Sequence, residues 1–151
     1  MPQPDVNDGP DERLFKAQLG LLPETAAFID AFCRRHGVGL PVALRITLVV
    51  EELFTNTVEH GYHGDSEALI RVALGIDGDA VALLYEDRAP AHDPLSLFPE
   101  TAVDPDATLG SRPVGGLGMV LVTQLARAAR YAREDDCNRL WLKLSHARQP
   151  R

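Results

Sequence analysis

Apolar and polar positions alternate from Glu12 to Leu21, with Leu14, Lys16 and Gln18 set against Phe15, Ala17 and Leu19, and this predicts a strand. Pro23 then suits the opening of a helix and Glu24 its first turn. The stripe Ala27, Phe28, Ala31 and Phe32 carries that helix to about Arg35, and His36-Gly37 ends it, glycine being the usual left-handed cap. Leu40-Pro41 starts a longer helix. Its stripe is Leu44, Leu48, Val49, Leu53 and Phe54, and Gly61 closes it.

After the turn His63-Gly64-Asp65, the runs Ala68 to Ile76 and Ala80 to Asp87 read as strands joined at Asp77-Gly78-Asp79, a hairpin signal. Residues 88–114 lose all period. Pro90, Pro94, Pro99, Pro105 and Pro113 interrupt them, and a connection this long is usually functional. At Gly115-Gly116-Leu117-Gly118 the chain runs into an apolar helix expected to end near Ala129. Tyr131 to Glu134 and Arg139 to Leu144 are two further strands joined across 135–138. Hairpins imply antiparallel pairing, and the helices need a face to cover. The economical solution is α+β: a two-layer sandwich with three helices on one face of a mixed, mostly antiparallel sheet.

The chain has 151 residues, 45% of them apolar, which suits one domain over 12–146 between short tails at 1–11 and 147–151. A net charge of −7 argues against nucleic acid and anionic membranes as partners. No apolar stretch reaches the roughly 20 residues of a membrane span, and no basic region followed by an apolar run marks a signal peptide. Cys33 and Cys137 lack a CxxC context, so two reduced thiols in a cytoplasmic protein are expected.

Three places carry candidate chemistry. Glu52 and Asn56 are four residues apart, so a carboxylate stacks over a carboxamide on one helix face and His60 continues the row. An amide oxygen together with nucleotide phosphates can hold Mg²⁺, which leaves Glu52 able to accept a proton. A pair of this kind is also common on a merely solvated face. Asp87 ends an apolar strand, where its carboxylate can accept from an exocyclic amine such as adenine N6 or simply cap a turn. Gly115, Gly116 and Gly118 precede a helix, whose free N–H groups favour an anion. Arg88 and Arg112 can add charge there. A zinc site from His60, His63 and His92 with Cys33 or Cys137 is a weaker reading, since its spacing straddles a helix end.

Glu52-x-x-x-Asn56, Asp87 at a strand end and Gly116-x-Gly118 together resemble the N box and the two glycine boxes of the GHKL ATPases, whose fold is the Bergerat ATP-binding fold. That group includes DNA gyrase and histidine kinases. The run Asn56-Thr-Val-Glu-His60-Gly61-Tyr62 and the Gly-Gly-Leu-Gly-Met segment are most similar to bacterial anti-sigma-factor serine kinases, over about 12–146. The resemblance implies ATP and Mg²⁺ as cofactors. Asn56 would ligate the metal, Glu52 would be the general base, and Asp87 would read the adenine amine beside Ala89. Arg112, Gly115, Gly116, Leu117 and Gly118 would hold phosphates beneath a lid at 91–114. It also implies a homodimer that phosphorylates an anti-sigma-factor antagonist and sequesters a sigma factor. The chain departs from the family at Ala89, usually glycine, and at Val114, a basic residue in some relatives. Nucleotide binding without phosphotransfer is therefore the second reading.

Overall fold

The computed structural model describes residues 11–91 and 126–146. Strands β1 (Asp11–Lys16), β2 (Leu69–Asp77), β3 (Ala80–Asp87), β4 (Ala126–Glu134) and β5 (Cys137–Ser145) form one sheet, in the order β1-β2-β3-β5-β4. All four pairings are antiparallel. Helices α1 (Leu22–His36) and α2 (Leu40–Asn56) pack against it, giving the expected α+β layers. The third expected helix falls mostly on residues outside those described.

β1 ends at Lys16 rather than at Leu21, because the Gln18 N–H turns back onto the Lys16 carbonyl at 2.7 Å. The Leu19 N–H goes to the Asp65 carboxylate at 3.0 Å, and Leu19–Leu21 makes one 3-10 turn into α1. Gly37 caps α1 at φ 67°, the left-handed conformation that glycine adopts without steric cost. The α1 stripe is rotated from the expected one: Thr25, Ile29, Phe32 and Cys33 are buried, while Ala27 and Ala31 are exposed. In α2 the buried residues are Ala43, Ile46, Val49, Val50, Leu53 and Phe54. Leu44 and Leu48, expected in the core, stand 60% and 37% exposed in a row with Leu40. Two apolar stripes run along α2, and only contact with the sheet decides which one is core.

The inward residues Phe15, Ile70, Val72, Leu74, Val81, Leu83, Leu140, Leu142 and Leu144 meet the helices in a single core. The Phe15 ring sits edge-on to Phe54, with centroids 6.4 Å apart. β4 begins at Ala126, where an alanine-rich helix end was expected. Pairing of Ala129 with Leu142 and Tyr131 with Leu140 overrides the local helix preference of Ala126-Arg-Ala-Ala. The β4–β5 turn is tighter than expected. Glu134 pairs with Cys137 across Asp135 and Asp136, both left-handed at φ 52° and 60°, as a two-residue hairpin with positive φ at both centres requires.

Candidate functional site

Beyond Asn56 the helix does not continue as α. Thr57–Gly61 is a single π turn, in which the Tyr62 N–H reaches the Thr57 carbonyl at 3.0 Å. Such one-turn widenings occur often at functional sites. This one turns Thr57 and Val58 inward and brings Gly61 against Ala89.

Asp87, the last residue of β3, is 7% exposed and faces the same side as Tyr85. A buried carboxylate needs donors, and among the described residues it has three. Thr57 Oγ1 donates to Oδ2 at 2.8 Å, while the Ala89 N–H at 3.1 Å and Asn138 Nδ2 at 2.8 Å donate to Oδ1. Thr57 has a single proton. The Leu53 carbonyl, 3.0 Å from Thr57 Oγ1 and 3.1 Å from the Tyr85 hydroxyl, is a competing acceptor for both; with the Thr57 proton on the shorter bond to the charged Asp87 oxygen, the 2.6 Å contact is donated by the Tyr85 phenol. Burial, followed by the nearby Asp87 charge, holds the Tyr85 pKa well above the ordinary phenol value, so this group stays a donor.

These residues floor a cavity of about 200 Å³. Asn56 and Thr57 enter it from α2 and the π turn, Asp87 and Ala89 from the end of β3, and Tyr131 and Asn138 from the β4–β5 hairpin. Leu53 and Leu140 supply apolar wall. An apolar cleft with a few convergent polar groups is the usual form of a small-molecule site. The volume suits part of a nucleotide, such as its base. Asp87 brings acceptors, which fits a ligand with an N–H donor. Asn56 is half-buried in the cavity lining. Its amide oxygen fits a hard divalent cation that carries its own waters and phosphates.

Glu52 stands one turn before Asn56 and does not line the cavity. Its pKa is raised, first by burial and then by the neighbouring Glu51 charge, the direction that makes a carboxylate a better proton acceptor. His60 lies at the cavity mouth, and Arg88 is exposed. Arg112, Gly115, Gly116, Leu117, Gly118, Val114 and all of the expected lid except Ala91 lie outside the described residues. Among the described residues no three His, Cys, Asp or Glu side chains converge on a metal position, so the zinc reading gains no support.

Thr57, Tyr85, Tyr131 and Asn138 were not expected in the site. Asn138 carried a signal: it is the polar member of the inward β5 row Asn138, Leu140, Leu142 and Leu144, and it pairs directly across from Asp87. The role of Tyr131 had none, because only β4–β5 pairing brings it over the cavity.

A model of the histidine kinase-like ATPase domain matches residues 15–144. Among solved structures, the chain is similar to the histidine kinase AdeS of Acinetobacter baumannii at 16% identity, over 91% of this chain and 68% of that one, with a TM-score of 0.47. No curated protein matches the chain.

Proposed function

Because the chain belongs to the histidine kinase-like ATPase domain family, we propose that it is an ATP-dependent protein serine kinase of the anti-sigma-factor type. Its substrate would be an anti-sigma-factor antagonist, and the chain would also sequester a sigma factor as a cytoplasmic homodimer. The observation that supports this most is Asp87: a buried carboxylate on the floor of a cavity that Asn56 also lines, one turn beyond Glu52. Asp87 accepts from the adenine amine. The Asn56 amide oxygen would hold Mg²⁺, which would supply positive charge against the phosphates. Glu52 takes the proton of a substrate serine hydroxyl as that oxygen bonds to the terminal phosphorus and the bond to ADP breaks. Catalysis of this kind is mostly positioning and charge neutralisation.

A second reading is a nucleotide-binding switch without transfer. It is favoured by the place of Glu52 outside the cavity lining and by Val114 where some relatives carry a basic residue. The deciding experiment incubates the chain with ATP labelled at the γ-phosphate and antagonist proteins from the same genome. Label on an antagonist serine, lost in Glu52→Gln with nucleotide binding retained, supports the kinase. Binding without transfer to any antagonist supports the switch.

A further inference from the structure

Asn138 is 6% exposed and stands directly across from Asp87 in the β3–β5 register. Its Nδ2 lies 2.8 Å from Asp87 Oδ1, 3.0 Å from the Ala89 carbonyl and 3.2 Å from the Pro90 carbonyl. All three are acceptors, so the amide is settled with its nitrogen toward them; flipped, its oxygen would face three oxygens. The Tyr131 hydroxyl donates to the Asn138 Oδ1 at 2.5 Å and closes the other side. Arg133, from the same hairpin, donates to the Ala89 carbonyl at 2.7 Å.

We infer that Asn138, held by Tyr131, is the positioning residue of the base site: it fixes the rotation of the Asp87 carboxylate and the path of Ala89-Pro90, and so sets discrimination between a purine carrying a 6-amino group and one carrying a 6-oxo group. The inference rests on the nucleotide reading above. Thr57 and the Ala89 N–H give each carboxylate oxygen one donor; Asn138 adds a second donor on Oδ1 and ties that oxygen to the Ala89 and Pro90 carbonyls. With Asn138 in place, three of the roughly four lone-pair sites of the carboxylate are taken, and the remaining one, on Oδ2, is left for a ligand. A 6-amino group there donates to Asp87, whereas a 6-oxo group sets oxygen against oxygen. Sites that leave a buried polar group facing the wrong partner discriminate strongly.

The test is calorimetric titration of the full chain with ATP and with inosine triphosphate, both with Mg²⁺, for wild type, Asn138→Ala and Tyr131→Phe, alongside thermal melts. Wild type is expected to prefer ATP. Asn138→Ala is expected to compress that preference by about tenfold or more, the loss of one charge-assisted bond, and Tyr131→Phe to move it the same way by less. A merely structural role would lower the melting temperature and weaken both nucleotides in proportion, with an unchanged ratio, and that result overturns the inference. Should Asn138→Ala not fold, Tyr131→Phe, which removes one hydroxyl from a half-buried ring, decides in the same way. A wild type that binds ATP with no preference over inosine triphosphate overturns the inference and leaves the nucleotide reading standing. A wild type that binds neither overturns both.

Discussion

A Cβ placed on Gly61 would lie 2.8 Å from the Ala89 methyl carbon. Carbon atoms do not approach so closely, and Ala89 cannot easily retreat. Its N–H is bonded to Asp87, and its carbonyl to Asn138 and Arg133. The methyl that this chain carries at position 89 is therefore accommodated by the missing side chain at position 61. Gly61→Ala is expected to destabilise the fold by about 1–3 kcal/mol through overpacking, outweighing the roughly 0.5–1 kcal/mol that alanine gains over glycine in helical backbone. Ala89→Gly in the same chain should restore most of the loss. Denaturant unfolding of both single variants and the double variant checks this as a cycle. Additive losses would disprove the contact.

Thr57→Val keeps the shape of a buried side chain and removes its hydroxyl. Asp87 Oδ2 loses its donor and the Tyr85 phenol one of its acceptors. We expect a cost of about 1–3 kcal/mol in unfolding free energy, together with weaker ATP binding. Tyr85→Phe leaves the Thr57–Asp87 bond in place, so it should weaken ATP binding less than Thr57→Val does. Calorimetry of the two variants side by side gives the comparison.

Asn56→Ala should abolish the Mg²⁺ dependence of ATP binding while changing stability by less than about 0.5 kcal/mol, since a partly exposed polar helix residue seldom matters more. Titrations with and without Mg²⁺ check the first half and thermal melts the second. Normal Mg²⁺-dependent binding by this variant would remove Asn56 from the metal site.

Glu52 makes stability depend on pH. Burial raises its folded pKa above the ordinary 4.5, so in the interval between the two values the folded chain binds more protons than the unfolded chain. Stability then falls as pH rises through that interval and stays lower above it. Glu52→Gln removes this dependence. The variant is expected to gain in melting temperature relative to wild type as pH rises from 4 to 7, and a flat difference would count against the raised pKa.

Much of the fold was legible along the chain because its signals are local. Pro23, Gly37 and Pro41 mark helix ends, and Asp77-Gly78-Asp79 marks a hairpin that forms as expected. Asp87 sits at the strand end where its sequence context put it, and Ala89 beside it is buried at the cavity. What escaped is set by partners distant in sequence. Leu44 and Leu48 have the right period for a core, yet the sheet selects Ile46 and Val50 instead. Ala126 to Ala129 favours a helix until β5 supplies a strand to pair with. Thr57 and Asn138 look like ordinary polar residues until the π turn and the β3–β5 register carry both to the same carboxylate.

The π turn at Thr57–Gly61 closes its hydrogen bond over one residue more than an α turn does, as though a single residue had been slipped into a finished helix. Removing one residue from this turn would let the backbone close as ordinary α-helix. Every side chain from there on would then swing by about 100° around the axis. Gly61 would leave its place opposite Ala89, and a bulkier neighbour would arrive there. The length of this segment, counted in single residues, is thus as much a part of the site as any side chain that lines it.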